Sequence, residues 1–158
     1  MLKRTSKQLS MFSSLEDMLS HEHPLFQLSN KINWESFENA FSPLYCSTNG
    51  RPAHPIRLMC GLLILKHLRN VSDEMVVSQW SENAYYQYFC GGLEFMPKQP
   101  CDASELVHFR NRIGEEGMEL ILAESIRVNT DHDDEDHFDT AFIDSTVQEK
   151  NITYPTDA

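Results

Sequence analysis

The sequence has no long apolar segment and no paired-cysteine motif, and these two absences narrow the class of protein first. Its longest apolar run, residues 58 to 65, holds eight residues and stops at Lys66, whereas a membrane-spanning helix needs about 20 apolar residues. The cysteines stand 14, 30 and 11 residues apart, without the Cys-x-x-Cys spacing of zinc or redox sites. We therefore expect no membrane partner, and buried reduced thiols at Cys46, Cys60, Cys90 and Cys101.

The amino-terminal residues also lack the features of a secretory signal. Lys3, Arg4 and Lys7 are followed by polar residues such as Gln8 and Ser10 rather than by an apolar run. With 158 residues and 41% hydrophobic content, the chain is long enough to bury one compact core. These features predict a soluble cytoplasmic protein with one main domain.

A surplus of positive charge is missing too, and this bears on nucleic-acid binding. The formal net charge is −11, and DNA phosphates repel a chain of that charge on average. The acidic residues are unevenly placed, because residues 131 to 158 hold one Lys and nine Asp or Glu, whereas residues 1 to 130 hold 12 Lys or Arg and 15 Asp or Glu. The first 130 residues are therefore close to neutral and can still present a local basic surface.

Apolar residues at helical spacing dominate residues 1 to 130. Ser72 suits a helix N-cap, and Asp102 with Glu105 resembles a capping box. A corner is expected at residues 114 to 117, where two glycines stand close together. The predicted helices cover residues 11–20, two stretches within 24–45, 56–69, 73–83, 84–89, a stretch from 102 to 113, and 118–128. Short connections between them predict a mainly α fold, an orthogonal helical bundle.

The composition changes after residue 130. Residues 131 to 139 are strongly acidic, and such a like-charged run is typical of a flexible linker. Residues 140 to 158 show the β-rich pattern of two strands. A two-stranded hairpin is only marginally stable by itself, so we interpret these strands as an incomplete β-hairpin that belongs to a larger sheet. The expected division is a helical domain at 1–130, an acidic linker at 131–139 and the first strands of a second domain at 140–158.

Three phrases of the sequence carry a resemblance to a known family. They are Phe89-Cys90-Gly91, the run from Phe109 to Gly117 that reads FRNRIGEEG, and the run from Ile143 to Ile152 that reads IDSTVQEKNI, ahead of Tyr154-Pro155-Thr156-Asp157. In this order and at these separations they resemble the N-terminal part of a bacterial IS5-like DDE transposase, from about residue 20 onward. The resemblance implies a helical N-terminal domain followed by the start of a truncated ribonuclease-H-like catalytic domain.

The resemblance also implies a role for Asp144. In this family three carboxylates, Asp, Asp and Glu, bind divalent metal such as Mg²⁺ for attack on a phosphodiester, and Asp144 matches the first of them. Glu149 would face the opposite side of an unbroken strand, and Asp157 does not match the second or third acid. We therefore expect Mg²⁺ at Asp144 only in an intact parent protein. This chain alone is expected to bind no cofactor and to be catalytically inactive.

Four basic residues are candidates for contact with DNA phosphates. Arg110 and Arg112 stand two residues apart on a predicted helix and cannot share one face, so one of them is expected to pair internally, with Glu115 or Glu116. Both phosphate contact and structural pairing remain open for the set. The candidates are Lys66, Arg69, Arg110 and Arg112.

Residues 56–69 and 73–83 have the lengths of a helix-turn-helix. Gln79 and Asn83 lie on one face of the second helix and are residue types that read adenine. That helix begins with Asp73 and Glu74 and contains no Lys or Arg, so ordinary packing is the favoured interpretation.

The resulting expectation is an N-terminal transposase fragment that acts in DNA transposition. Its expected partners are the terminal inverted repeats of the element and a second copy or a full-length transposase, at the nucleoid in the cytoplasm. The alternatives are a stand-alone DNA-binding or interaction module that inhibits transposition, and an inert remnant.

Overall fold

A computed structural model of the chain describes residues 14–46, 48 and 50–130, and this part is mainly α-helical. It contains no β-strand among those residues, so the prediction of a mainly α fold is confirmed there. The predicted acidic linker at 131–139, the incomplete hairpin at 140–158 and the beginning of the first predicted helix lie outside the described residues.

Seven α-helices and one 3₁₀ turn make up the described part. They are α1 Leu15–Met18, α2 Pro24–Lys31, α3 Trp34–Phe41, the 3₁₀ turn Ser42–Leu44, α4 Ile56–Arg69, α5 Asp73–Glu82, α6 Ala84–Phe89 and α7 Ala103–Thr130. The predicted boundaries of α4, α5 and α6 match these to within one residue. None of these helices combines the length and apolar character that a bilayer span needs.

Side-chain caps explain why several helices begin where they do. The Ser72 hydroxyl accepts the Met75 backbone N–H at 3.1 Å and starts α5, as the sequence predicts. The Asn83 side chain accepts the backbone N–H groups of Tyr85 and Tyr86 and starts α6. Asn70, with φ at 52°, takes the left-handed conformation that ends α4. The polar residues between these helices therefore set the ends of α4, α5 and α6, which follow one another with very short connections.

The corner expected at residues 114 to 117 is reduced to a single residue. Gly114 has φ 67° and ψ −169°, and helix continues on both sides of it within α7. This backbone conformation is essentially restricted to glycine. Gly117 is helical, and a Cβ there would lie 2.5 Å from the Ile113 Cβ on the other side of the Gly114 kink and 3.1 Å from the Phe41 ring of α3. Gly117 therefore permits both the kink at Gly114 and the close packing of α7 on α3. The predicted corner is present at Gly114, but it does not extend to residue 117, which is helical.

α4 forms the centre of the core, as its apolar sequence predicts. Nine of its 14 residues are buried, and it packs against α3, α5 and α7. Gly61 of α4 lies against Cys90, where an added Cβ would come within 2.7 Å of the Sγ atom. Burial raises the pKa of the Cys60 and Cys90 thiols. Cys46 is exposed in the loop after the 3₁₀ turn, so the expectation that all four cysteines are buried is wrong for Cys46.

Candidate nucleic-acid interface

Two predicted DNA-binding residues converge on one carboxylate where α4 meets α5. Lys66 Nζ lies 3.1 Å from Asp73 Oδ1. The Arg110 guanidinium of α7 donates two hydrogen bonds to the Asp73 carboxylate, at 2.8 and 2.7 Å. We call Lys66, Asp73 and Arg110 the corner cluster. The sequence suggested Glu115 or Glu116 as the partner of an arginine here, but the structure places Arg110 on Asp73.

The electrostatics of the corner cluster favour an internal role. The Asp73 side chain is only 13% exposed, and hydrogen bonds from Arg110 and then from Lys66 lower the pKa of its carboxyl to about 2. The same contact raises the pKa of Arg110. A DNA phosphate would have to displace Asp73 to take either cation in full, so these two residues are mainly structural.

Arg69, the last residue of α4, differs from the corner cluster. It is exposed and makes no hydrogen bond or ion pair with the described part of the chain, and its guanidinium lies 6.0 Å from the Tyr86 ring centroid. At the C-terminal end of a helix a cation is favourable. Arg69 is therefore available for an external anion.

The proposed reading face of α5 is used within the domain. Asn83 caps α6, and the Tyr86 hydroxyl donates to Gln79 Oε1 at 3.4 Å. The other side of α5 buries Val76, Val77 and Trp80. The structure thus agrees with ordinary packing for this helix.

A second surface brings together residues that sequence reasoning did not group. A cleft of about 280 Å³ opens between the loop that follows the 3₁₀ turn and the first half of α7, over a floor formed by Met59 and Phe109. Besides Phe109, three polar side chains of the lining come from α7 at i, i+3 and i+7 spacing, which places them on one helix face. We call it the loop cleft, and its polar lining is Tyr45, Arg51, His54, Glu105, His108 and Arg112.

The two arginines of the loop cleft are available to a ligand. The Arg112 guanidinium lies 4.4 Å from the Tyr45 ring centroid. Arg51 and Arg112 are both exposed, and neither makes a hydrogen bond or ion pair within the described part of the chain. Guanidinium groups in this state can offer their full donor set to a planar or tetrahedral anion.

The carboxylate of the loop cleft has both oxygens engaged. His54 Nε2 lies 3.1 Å from Glu105 Oε1, and the Asp102 backbone N–H donates to Glu105 Oε2 at 2.8 Å. The Asp102 N–H and then the His54 ring hold the pKa of Glu105 below its usual value. The second contact is half of the predicted capping box. These two contacts hold the Glu105 carboxylate in place, and it forms no ion pair with Arg112.

Of the loop cleft's polar residues, the sequence singled out Arg112 alone as a binding residue. Tyr45, Arg51 and His54 stand in a loop without a recognisable motif, and loops join helices at positions that local spacing does not reveal. The sole signal in the sequence was the helical spacing of Glu105, His108 and Arg112.

The predicted metal residue cannot be placed. Asp144 lies outside the described residues. Within the part of the chain that the structure describes, no group of three or more His, Cys, Asp or Glu could hold a metal ion. The Mg²⁺ site at Asp144 stays a prediction.

Comparison with known proteins identifies related sequences. A family model described as a transposase domain, DUF772, matches residues 13–112. A Rhizobium meliloti protein described as an uncharacterized protein, ORF8 in the nfe locus, is 39% identical over 146 residues, which is 91% of this chain and 70% of that protein. No solved structure matches the chain.

Proposed function

Because the chain belongs to the DUF772 family of transposase domains, we propose that it acts in DNA transposition and that its helical part binds the DNA of the mobile element. The family match carries this proposal, since residues 13–112 include α1 to α6 and the part of α7 that lines the loop cleft. Such a role places the protein on DNA at the nucleoid, as the sequence led us to expect.

The distribution of unpaired cations supports DNA as the partner. Arg51, Arg69 and Arg112 are exposed and make no hydrogen bond with the described part of the chain. Lys66 and Arg110 form ion pairs with Asp73. We therefore expect them to add to the local positive potential rather than to contact DNA phosphates directly. Phosphate contacts of this kind position a protein on DNA without reading its sequence.

The catalytic proposal rests on the resemblance to IS5-like DDE transposases. We propose that Asp144 corresponds to the first carboxylate of the triad and ligates Mg²⁺ in an intact transposase, where the metal would activate the attacking oxygen. Glu149 and Asp157 do not fit the other two positions. The 158-residue chain should therefore show no Mg²⁺-dependent nicking of DNA that contains element ends. Mg²⁺-dependent turnover by this chain would overturn the expectation that it is inactive, and turnover that persists in Asp144→Asn would also contradict the role of Asp144 as a metal ligand.

Binding to element ends is tested by fluorescence anisotropy. A duplex that carries the terminal inverted repeat is compared with a shuffled duplex of equal length, at low salt. We expect tighter binding to the terminal repeat, because end recognition requires discrimination beyond phosphate contact. Equal affinity for the two duplexes would limit the role to nonspecific binding, and absence of binding to either would refute the DNA-binding proposal.

A second candidate function is pairing with another copy or with a longer transposase. Exposed apolar side chains support it, because Leu93, Phe95 and Met96 are 79%, 45% and 52% exposed. The same segment contacts α1, where the Leu15 backbone N–H donates to Leu93 O at 2.9 Å, and Met18 of α1 is 62% exposed. Sedimentation velocity should show a dimer that Leu93→Asp weakens. A monomer at all concentrations would exclude self-pairing.

A further inference from the structure

We propose that the loop cleft is a phosphate-binding site and that it holds one backbone phosphate of the DNA, with Arg112 and Arg51 as its charged donors. This inference rests on the proposed function, because it assigns part of the DNA contact to one site. It differs from the sequence-based candidates, which placed three of four cations elsewhere.

The first step of the argument is the state of Arg112. Its guanidinium carbon lies over the Tyr45 ring, 4.4 Å from the ring centroid, and the group makes no hydrogen bond within the described part of the chain. A guanidinium in contact with an aromatic ring has lost part of its conformational freedom before a ligand arrives. Arg112 is thus preorganised for two parallel hydrogen bonds to phosphate oxygens.

The second step is the charge of the loop cleft. Arg51 and Arg112 bring two positive charges, and Glu105 brings one negative charge. Its arginines and carboxylate alone therefore give the cleft a net positive charge, although the whole chain has a formal net charge of −11. His54 and the Asp102 N–H each contact one Glu105 oxygen. Arg51 is close enough to help lower the pKa of Glu105, but neither arginine forms an ion pair with this carboxylate in the described part of the chain.

The third step is the size and openness of the loop cleft. Its volume of about 280 Å³ lies below the roughly 300–1,000 Å³ typical of small-molecule pockets. Arg51, His108 and Arg112 at its rim are exposed. A small, positively charged cleft whose arginines are exposed suits one charged group carried by a large partner better than it suits a free cofactor. A backbone phosphate is such a group.

The site is tested by NMR on the full chain. The imidazole signals of His54 and His108 are followed during titration with inorganic phosphate at constant ionic strength. We expect saturable shifts of the His108 signal, with an affinity about tenfold weaker in Arg112→Gln because a charged donor pair is lost. Arg112→Lys should recover only part of the affinity, because an ammonium lacks the planar fork.

Two further variants test whether the charge of the loop cleft determines its affinity for phosphate. Glu105→Gln should bind phosphate more tightly, since it removes the opposing charge while its amide oxygen can still accept the Asp102 N–H. Lys98→Gln removes an exposed cation that does not line the cleft and should match the wild type. Phosphate shifts that do not saturate, or that are equal in wild type and Arg112→Gln, would overturn the inference.

The same variants separate this inference from the proposed function. Suppose that the Arg51→Gln, Arg112→Gln double variant binds DNA as tightly as the wild type, while Arg69→Gln binds it more weakly. This result would refute DNA contact by the loop cleft but would leave the proposed DNA-binding role intact. Saturable phosphate binding without any affinity for DNA would refute the proposed function and DNA as the source of the phosphate. Loss of both phosphate and DNA affinity in the double variant would support the two together.

Discussion

At the scale of single residues, Asp73 carries the electrostatics of the corner cluster. Its carboxylate is mostly buried and meets two cations from different helices, Lys66 and Arg110, whose side chains are 26% and 27% exposed. Removing one partner of a partly buried ion pair leaves charge uncompensated, which destabilises more than the intact pair stabilises. Asp73 of α5 thus links its own helix to α4 and α7 through ion pairs.

Asp73→Asn should lower the free energy of unfolding by about 2 kcal/mol at pH 7, because the shift in pKa from 3.8 to about 2 corresponds to roughly that energy. A carboxyl with a lowered pKa contributes its full stability above about pH 4 and loses it as the pH falls toward 2. Urea unfolding of wild type and variant should therefore converge across that window. Glu74→Gln is the matched control, being an exposed acid in the same helical turn, and a loss as large as that of Asp73→Asn would contradict this account.

Gln87 is a second residue whose side chain joins separate segments of the chain, in this case through backbone groups. It is fully buried, donates to Trp80 O at 3.0 Å and Met96 O at 2.7 Å, and accepts the Met96 N–H at 2.7 Å. Gln87→Met keeps the side-chain volume but leaves these backbone groups without a hydrogen-bond partner. We therefore expect the free energy of unfolding to fall by about 2–4 kcal/mol. Urea unfolding measures the loss, and faster amide exchange at Met96 would locate it. Gln79→Met, which removes a single 3.4 Å contact, should change stability far less.

At the scale of helices, local sequence signals determine where elements begin and end, while contacts between elements depend on the fold. Ser72 as a cap and the apolar α4 were predictable, because each depends on neighbours within a few residues. The Asp73–Arg110 pair joins residues 37 positions apart. Likewise, the loop cleft forms only when α7 meets a loop about 50 residues earlier. Neither could be inferred from spacing along the chain.

The close approach of α4 to Cys90, the residue that follows α6, makes Gly61 a test at the scale of helices. Alanine favours a helix over glycine by about 1 kcal/mol, but a Cβ at Gly61 would lie 2.7 Å from Cys90 Sγ and 3.2 Å from Cys90 Cα. We expect Gly61→Ala to be destabilising by about 1–3 kcal/mol, as overpacked cores are. Urea unfolding should also show a smaller loss when Gly61→Ala is made in a Cys90→Ala background. A gain in stability for the single variant would show that the helices are not in close contact.

At the scale of the whole molecule, the negative net charge of the chain opposes binding to DNA, which is also negatively charged. Residues 131 to 158 hold nine acids and one Lys, and their field acts on DNA over about a Debye length whatever their structure. Changing Asp131, Asp133, Asp134 and Asp136 to Asn should raise DNA affinity several-fold at low salt, as measured by anisotropy. The gain should shrink as salt is added. An unchanged affinity at low salt would show that these charges do not reach the DNA-binding surface.

The measurement that bears most directly on the central claim is the salt dependence of binding to terminal-repeat DNA. Each neutralised phosphate contributes about −0.9 to the slope of log affinity against log salt. If Arg51 and Arg112 together hold one backbone phosphate, the Arg51→Gln, Arg112→Gln double variant should bind more weakly and lose about 0.9 unit of slope, whereas Lys98→Gln should keep the wild-type slope. An equal slope in wild type and the double variant would contradict the claim that the loop cleft contacts DNA.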